Sequence, residues 1–302
     1  MSAQLRVGVD VGGSTTEAVS LDGSARVVAR AERRTVRGKE GVVDGILAVI
    51  DAVVPPGGAS SVGIGIPGRV SDGRVHDAVN LDISDLDLAS EIAARSGAVV
   101  GVENDVRAAT RGIGVDRFSS SLAYLNLGTG VAAGVLLDGR VHGGSRGVAG
   151  EIGHLSIDPA GPRCACGQRG CIEAFAGGGA IAARTTGGPF AVRDAFDRAD
   201  DGDPAALEVV AGLARGAAAA VRTLALAVDP ERIVIGGGIA RLGERLRAPV
   251  LRELERAAEG SAFLGSLHLD ERIELLSPGV PVGAIGAALA DHRRSALHLS
   301  AG

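Results

Sequence analysis

The chain contains few aromatic residues. Among its 302 residues there are no tryptophans, one tyrosine and five phenylalanines, although 46% of the residues are hydrophobic. Valine, isoleucine, leucine and alanine must therefore fill the core, and this composition favours parallel sheets packed beneath helices. A chain of this length can form one large domain or two smaller ones, and it can bury a substantial core.

Lysine is almost absent too, because Lys39 is the only lysine beside 30 arginines. A P-loop requires Gly-Lys-Ser or Gly-Lys-Thr, and the stretch VRGKEGV around Lys39 contains neither. A nucleotide would therefore have to be bound by a different kind of loop. The net charge of −5 leaves no basic surface for nucleic acid, so we expect no nucleic-acid partner.

Long apolar segments are missing as well. We find no run of about 18 apolar residues, and even GAAAAVRTLALAV is interrupted by Arg222. The first ten residues, MSAQLRVGVD, lack the apolar core of a signal peptide. We therefore expect a cytoplasmic protein with no membrane partner.

An internal repeat organises the chain. The segments RVGVDVGGSTTEAVSLDGSARVVAR and SLAYLNLGTGVAAGVLLDGRVHGG both read as strand, glycine turn, strand, Asp-Gly turn and strand. Asp-Gly between apolar runs is a strong hairpin signal. A spacing of 116 residues relates three pairs of positions: Asp10 and Asn126, Gly12 and Gly128, and Asp22-Gly23 and Asp138-Gly139.

Helical and strand-like stretches follow each set of hairpins, so the sequence predicts duplicated mixed α/β domains that face each other across a cleft. Ligands of open α/β sheets bind in such crevices, at the carboxyl ends of strands. The glycine turns DVGGST and LGTG would let backbone N–H groups approach phosphate oxygens without a lysine. Together with IGGG at 235–238, they predict a nucleotide between the halves.

Asn104 and Asp105 stand where a buried strand, AVVGVEN, passes into a helix. Two interpretations of Asp105 are open at this point. It can be the N-cap of the helix, which is the commoner role for an aspartate there. It can also be a general base at the mouth of the cleft, where it would accept a proton from an attacking hydroxyl.

All three cysteines lie in one short segment that also contains a histidine. His154, Cys164, Cys166 and Cys171 supply one imidazole and three thiols, a donor set typical of a closed structural zinc site. The expected cytoplasmic location disfavours a disulfide, and the CxxC spacing of redox sites is absent. Free thiols remain the alternative to zinc.

Two glutamates adjoin this segment. Glu151 lies three residues before His154, and Glu173 lies two residues after Cys171. They are either solvated surface acids or ligands that a metal site would hold in place. Two carboxylates and an imidazole suit a polyhydroxylated ligand such as a sugar ring.

At these residues the chain resembles the ROK family of bacterial sugar kinases, and within it the glucokinases. The resemblance implies a duplicated actin-like, ribonuclease-H-like fold and ATP-dependent phosphorylation of a sugar hydroxyl, usually at C6. The motifs cover the chain in the family's order: DVGGST (10–15), GIPG (65–68), VEND (102–105), LNLGTGVAAGVLLDG (125–139), EIGH (151–154), CACGQRGCIEAF (164–175) and IVIGGGI (233–239).

The resemblance also implies roles for individual residues. Asp105 would be the catalytic base, and Asp10 would help to organise Mg²⁺. The sugar would be held by Asn104, Glu151, His154, Glu173, Gly68 and Asn80. ATP would be bound by Gly12, Gly13, Ser14, Thr15, Gly128, Thr129, Gly130, Gly236, Gly237 and Gly238. His154, Cys164, Cys166 and Cys171 would hold a structural Zn²⁺.

The resemblance further implies a small N-terminal domain of residues 1–117 with 284–302 and a large C-terminal domain of residues 118–283 that carries the zinc loop. It also implies a homodimer or a homotetramer. The family's transcriptional repressors have a DNA-binding segment ahead of the first motif, which begins here at residue 10, so we do not expect a repressor. An actin-like ATPase would not require the cysteine segment.

The sequence departs from the family's pattern at four places. Val106 and Arg107 follow Asp105 where Ala-Asn is common, and GGSTTEA lacks a frequent lysine. GTGVAAG replaces the usual GTGVGGG, and NLDI at 80–83 lacks the usual tryptophan. Because Ile83 and Arg107 are expected near the acceptor, a modified sugar, such as an amino-sugar, or a cyclitol is the alternative to a simple hexose. A non-catalytic sugar sensor is a further alternative.

Overall fold

The structure is a computed structural model, and it describes residues 5–54, 58–117, 119–185 and 191–290. The chain divides into two units. Unit 1 takes the described residues of Met1–Ser120, Asp138–Val148 and Gly279–Gly302, and unit 2 comprises Ser121–Leu137 and Ala149–Pro278. In these units the segment 138–148 groups with unit 1. The domain boundaries expected from the family remain a prediction.

The strands of the described residues are, in chain order, β1 (Arg6–Val11), β2 (Thr15–Leu21), β3 (Val27–Arg34), β4 (Ser61–Ile66), β5 (Arg69–Ser71), β6 (Arg74–Ala78), β7 (Ile83–Leu86), β8 (Val99–Asn104), β9 (Leu122–Leu127), β10 (Val131–Leu137), β11 (Arg140–Val141), β12 (Arg232–Gly236) and β13 (Ile273–Leu275). Most are short and rich in valine and isoleucine, as the scarcity of aromatic residues predicted.

The helices of the same residues are α1 (Lys39–Val53), α2 (Leu88–Ser96), α3 (Asp105–Asp116), α4 (Ile172–Ala176), α5 (Gly178–Arg184), α6 (Ala191–Asp200), α7 (Pro204–Val228), α8 (Glu244–Glu259), α9 (Ala262–Gly265) and α10 (Val282–Ala288). Short 3-10 helices cover Val79–Leu81, Ile152–His154 and Ile239–Leu242. The last helix predicted from the sequence is described as far as residue 290, and its remainder lies outside the described residues.

Unit 1 contains a five-stranded sheet in the order β3-β2-β1-β4-β8. The strand β1 pairs antiparallel with β2 and parallel with β4, and β8 pairs parallel with β4. The carboxyl ends of β1, β4 and β8 therefore lie at the same edge of the sheet. A separate antiparallel sheet, β5-β6-β7, packs its apolar side chains into the core of the same unit.

Unit 2 repeats this arrangement, since its strands follow the order β10-β9-β12-β13. The strand β9 pairs antiparallel with β10 and parallel with β12, which in turn pairs parallel with β13. Both ends of β9 and β10 lie 116 residues after the corresponding ends of β1 and β2. The predicted duplication of a mixed α/β fold is therefore confirmed.

The two Asp-Gly pairs of the repeat form different turns. Asp138 and Gly139 both have a positive φ, as a type I′ hairpin requires. Asp22 instead begins a longer loop, in which its carboxylate accepts hydrogen bonds from the backbone amides of Ser24 and Arg26. The predicted hairpin at Asp22-Gly23 does form, since β2 pairs antiparallel with β3, but its loop extends to Arg26 and the positive φ falls on Ala25.

Helix α10 lies very close to the backbone of α3 and β1. A Cβ atom at Gly286 would overlap the carbonyl oxygen of Ala108 in α3, and a Cβ atom at Gly8 would overlap the carbonyl oxygen of Ala284. Glycine at both positions allows this close approach. The packing brings the amino end of α10 to the carboxyl end of β1.

Helix α7 is long and apolar enough, by length and composition alone, to cross a membrane. The expectation that the sequence contains no such segment is corrected in this respect. However, 61% of its most apolar window is buried inside the protein. Its alanine-rich face packs on the core of unit 2, and a buried core helix can have the same length and apolar composition as a membrane-spanning helix.

Candidate functional site

The amino end of α3 carries two polar residues, Asn104, which ends β8, and Asp105, which begins the helix. Asn104 is the N-cap, because its Oδ1 accepts hydrogen bonds from the backbone amides of Val106 (3.0 Å) and Arg107 (3.3 Å). Asp105 is the first residue of the helix, and its Oδ1 accepts a hydrogen bond from the Val106 amide at 2.9 Å. The interpretation of Asp105 as the N-cap is therefore wrong.

Asp10 is the penultimate residue of β1 in the same unit, and its carboxylate interacts electrostatically with that of Asp105. Burial, followed by the negative charges of Asp105 and Glu17, raises the pKa of Asp10 to about 7. A Cβ atom at Gly283 would overlap the Asp10 carboxylate, so α10 begins directly against this side chain. A cation at this position would favour the ionised form of Asp10.

The predicted DVGGST loop is held by hydrogen bonds within unit 1. The Gly12 amide donates to the carbonyl of Thr15 at 2.8 Å, and the hydroxyl of Thr35 donates to the carbonyl of Gly12 at 2.7 Å. A Cβ atom at Gly13 would lie 3.8 Å from the Cβ of Asn80. The structure thus brings a predicted phosphate loop and a predicted sugar ligand together. Thr35 was missed in the sequence because no motif contains it.

Gly68, the last residue of GIPG, lies beside the cap of α3. Its carbonyl accepts a hydrogen bond from Asn104 Nδ2 at 3.3 Å. Its φ is +100°, and a Cβ atom there would lie 2.7 Å from the carbonyl oxygen of His76. Glycine is therefore required at this position, and it fixes the side-chain amide of Asn104 next to Asp105.

In unit 2 the second glycine turn meets a predicted sugar ligand. The Oε2 atom of Glu173 accepts a hydrogen bond from the Val131 amide at 2.9 Å, and a Cβ atom at Gly130 would overlap this carboxylate. The carbonyls of Gly128 and Thr129 accept hydrogen bonds from the first residues of α5. The structure therefore holds Glu173 against the LGTG turn.

The IGGG segment lies next to the same turn. The strand β12, which ends at Gly236, is paired with β9, which ends at Leu127. A Cβ atom at Gly237 would lie 2.6 Å from Asn126 Oδ1, and that oxygen also accepts a hydrogen bond from the hydroxyl of Tyr124 at 3.2 Å. Two of the three predicted nucleotide loops thus meet at the carboxyl edge of one sheet.

The four predicted zinc ligands come together in unit 2. Donor atoms of His154, Cys164, Cys166 and Cys171 all lie within 4.8 Å of one another. The Sγ atoms of Cys166 and Cys171 are 3.7 Å apart, close to the edge of about 3.8 Å that Zn–S bonds of 2.3 Å give in a tetrahedron. The Nδ1 atom of His154 is buried without a hydrogen-bond partner in the described structure. The donor set and this orphaned nitrogen both fit a zinc ion.

Gln168 supports these ligands and was missed in the sequence analysis. Its Nε2 atom lies 3.5 Å from Cys166 Sγ, 3.7 Å from Cys171 Sγ and 3.2 Å from the carbonyl oxygen of His154. Hydrogen bonds from Gln168 lower the pKa of Cys166 to about 6, whereas burial raises the pKa of Cys171 to about 12. Its role could have been predicted from the sequence, because Gln168 is an amide side chain that lies between the ligands Cys166 and Cys171 in CACGQRGC.

Glu151 adjoins the imidazole of the zinc set. It precedes the 3-10 helix Ile152–His154, and its Oε2 atom lies 4.0 Å from His154 Nε2. A Cβ atom at Gly150 would overlap the carbonyl oxygen of Ala133, so the segment before Glu151 lies tightly on β10. Unit 2 therefore brings Glu151 and His154 together as the sequence predicted.

Arg107, one of the departures from the family's pattern, lies within unit 1 on the first turn of α3. Its Nη1 atom would be 2.8 Å from a Cβ atom at Gly143, so the guanidinium packs against the 138–148 segment. Ile83, the other departure expected near the acceptor, is buried in the core of unit 1.

The family model described as "ROK family" matches residues 6–292. The chain belongs to the ROK family. A glucokinase of Thermotoga maritima is 35% identical, with 93% of this chain and 95% of that protein covered. An N-acetylmannosamine kinase of Yersinia pseudotuberculosis is 30% identical, with 76% of this chain and 82% of that protein covered.

The fold agrees with this membership. A crystal structure of a ROK family glucokinase from Streptomyces griseus in complex with glucose and AMPPNP has a TM-score of 0.74 and 30% sequence identity. The match covers 94% of this chain and 98% of that one. The predicted actin-like, ribonuclease-H-like fold class is therefore confirmed.

Proposed function

We propose that this ROK family protein transfers the γ-phosphoryl group of ATP to the C6 hydroxyl of a hexose, with Asp105 as the general base. The protein is an ATP-dependent sugar kinase, as its membership and its relatives of known activity establish. Beyond this activity, we propose which hydroxyl of the sugar reacts and which residue is the general base.

The observation that carries the proposal is the placement of Asp105. Its carboxylate lies at the carboxyl edge of the sheet, where α/β folds bind ligands, and Asn104 takes the capping role. In the proposed step the sugar hydroxyl oxygen attacks the γ-phosphorus while its proton moves to Asp105. The bond from phosphorus to the β,γ-bridging oxygen breaks, and ADP leaves. A general base of this kind contributes about 10²–10⁴-fold to the rate.

The chain's glycine loops and Asp10 would bind MgATP. The turns that contain Gly12, Gly13, Gly128 and Gly130 would lie against the phosphates, and Gly237 would lie near the nucleoside. The Gly12 and Gly128 amides close these turns by donating to the carbonyls of Thr15 and Gly130, which leaves Gly13 and Gly130 to offer their amides. Asp10 fits a role toward Mg²⁺, because its buried carboxylate lies beside a second acid and would be stabilised by a cation. When bound, the metal would neutralise charge that develops on the phosphate oxygens.

Zinc would be held by His154 Nδ1 and the three thiolates, which leaves no open coordination position. The ion would therefore have a structural role and would not activate water. It would fix the imidazole so that Nε2 faces Glu151 and a sugar hydroxyl. Glu173 lies two residues after Cys171, so the same site would position both glutamates.

The alternative acceptor is a modified sugar, such as an amino-sugar, or a cyclitol. The N-acetylmannosamine kinase of Y. pseudotuberculosis supports it, because it is 30% identical to this chain over 242 residues. Arg107 is the residue by which the acceptor site would differ from that of a glucokinase, whereas Ile83 is buried in the core of unit 1 and would act through packing alone. A non-catalytic sugar sensor is the weaker alternative, because the chain retains Asp105.

ADP release from MgATP tests the proposal and its alternatives together. The acceptors are glucose, mannose, N-acetylmannosamine, 3-amino-3-deoxyglucose and a cyclitol, and Asp105→Asn is the blank. Asp116→Asn, at the other end of α3, is the matched control and should retain full activity. The highest kcat/KM with glucose supports the hexose, and a faster modified acceptor supports the alternative. No turnover with any acceptor would favour the sensor.

The assembly and location belong to the same proposal. We expect a homodimer or a homotetramer in the cytoplasm, with the sugar and ATP as its small-molecule partners. Light scattering at several protein concentrations measures the assembly, and a monomer at all of them would contradict it.

A further inference from the structure

The antiparallel sheet β5-β6-β7 has one apolar face and one polar face. Val75, Ala78 and Leu86 are buried in the core of unit 1. The register places Ser71 opposite Arg74, Arg69 opposite His76, and His76 opposite Asp85. Because directly opposed residues share a face, these polar side chains all project from the side away from the core. None of them has a role in the proposed phosphoryl transfer.

Three of these side chains form a continuous hydrogen-bonded series. The Oγ atom of Ser71 lies 3.3 Å from His76 Nε2, and His76 Nδ1 lies 3.1 Å from Asp85 Oδ1. The histidine side chain is only 23% exposed, whereas Ser71 is exposed to solvent. A serine, a histidine and an aspartate in this order and at these distances are the parts of a nucleophile, its base and the group that orients the base.

The partners of Asp85 fix the direction of each hydrogen bond. Arg74 Nη2 donates to Asp85 Oδ2 at 2.6 Å, and this pairing lowers the pKa of Asp85. An ionised Asp85 accepts a hydrogen bond from the Nδ1–H group of His76 and so selects the tautomer protonated at Nδ1. The lone pair of His76 Nε2 then faces Ser71, and the serine hydroxyl is the donor in the remaining bond.

The residues around Ser71 leave its hydroxyl accessible to solvent and place a cation, Arg69, on the same face of the sheet. Ser71 precedes Asp72 and Gly73, which both have a positive φ and turn β5 directly into β6. Arg69, two residues earlier on the same face, has a side chain that is 52% exposed and lies 4.0 Å from its nearest acid, Asp77. Its guanidinium can stabilise negative charge on the oxygen of a carbonyl group placed next to Ser71.

We propose that Ser71, His76 and Asp85 form an acyl-transfer site that cleaves small activated carboxylic esters. Ser71 Oγ forms a bond to the ester carbonyl carbon while its proton moves to His76 Nε2. The bond from that carbon to the alcohol oxygen then breaks, and the alcohol leaves with the proton. Water gives a proton to His76 Nε2 and attacks the acyl carbon, the bond from that carbon to Ser71 Oγ breaks, and His76 returns the proton to Oγ as the carboxylic acid leaves. Water is the only co-reactant.

The test uses the full chain and p-nitrophenyl acetate, with release of p-nitrophenol as the rate and peptide mass spectrometry as the location. We expect one acetyl group on Ser71, and an approximately 10²-fold lower rate in both Ser71→Ala and His76→Gln, in line with the loss of a nucleophile or its base. Ser24→Ala, in an exposed loop of the same unit, should leave the rate unchanged. Lys39 is the only lysine, so non-specific acetylation of amines is easy to recognise.

Three results would overturn the proposal: equal rates in the wild type and Ser71→Ala, acetylation confined to Lys39, or a His76→Gln variant as fast as the wild type. Thermal unfolding of each variant, followed by circular dichroism, shows that a lost rate is not lost folding. A slow His76→Gln variant that melts at the wild-type temperature supports the proposal even where Ser71→Ala is unstable. Sugar phosphorylation in the same samples reports on the kinase separately.

Discussion

Asp10→Asn should make the stability of the protein less dependent on pH. Asp10 is enclosed at the end of β1, and its pKa rises from 3.8 to about 7 in the folded protein. The folded state therefore holds this proton more tightly than the unfolded state does. Between about pH 4 and pH 7 the unfolded state binds fewer protons, so the free energy of unfolding falls as the pH rises. Asparagine has nearly the same shape but does not ionise.

The magnitude follows from the shift. A change of about three pKa units at about 1.4 kcal/mol each corresponds to about 4 kcal/mol. The two proteins should therefore be about equally stable at pH 4, and Asp10→Asn should be more stable by up to about 4 kcal/mol at pH 8. Burial is the largest cause of this shift, and the negative charges of Asp105 and Glu17 add to it.

Urea unfolding of both proteins at pH 4.5, 6 and 8, in the presence of a chelator, measures this difference. The exposed Asp51→Asn on α1 is the control for the change of one charge. A difference in unfolding free energy that stays constant with pH would refute the reasoning. The same variant should lose kinase activity if Asp10 helps to bind Mg²⁺. In that case the ionised carboxylate would be needed for activity although it lowers the stability of the protein.

The remaining predictions concern the base and the zinc site. Asp105→Asn should lower kcat by about 10²–10⁴-fold without lowering the melting temperature, and a fully active variant would exclude Asp105 as the base. Cys166→Ala should lose zinc, measured by atomic emission, together with stability and sugar affinity; an unchanged zinc content would contradict the site. Gln168→Met should still bind one zinc per chain, but its affinity for zinc, measured in competition with a chelator, should be about 10–100-fold lower. Arg169→Ala, the control, should leave the affinity for zinc unchanged.

The succession of strands and turns in each half could be predicted from the sequence because the repeat consists of local signals. Apolar runs, glycine turns and a constant spacing of 116 residues all lie within short windows, and β9 and β10 begin and end where that spacing requires. The Asp22 loop could not be predicted in the same way. Its Asp-Gly pair is identical to that at 138–139, and only the hydrogen bonds of the Asp22 carboxylate direct the turn to Ala25.

The candidate site was predictable where one short motif supplies all the ligands. The zinc donors come from residues 154–171, so their proximity follows from sequence distance. The hydrogen bond between Glu173 and the Val131 amide joins residues 42 positions apart, and neither motif predicts it. The series of Ser71, His76 and Asp85 was equally hidden, because it depends on the register of three strands.

The two halves of the repeat differ at one position in a way that agrees with the proposed chemistry. Asp10 is the penultimate residue of β1, where it interacts electrostatically with Asp105, and the equivalent penultimate residue of β9 is Asn126. Asn126 instead accepts a hydrogen bond from Tyr124 and lies against Gly237, where the nucleotide is expected. A carboxylate at Asn126 would repel the phosphates of ATP, whereas a carboxylate at Asp10 would attract their Mg²⁺. The two units therefore have equivalent strand ends, and the carboxylate occurs at this position in unit 1, which contains the proposed base.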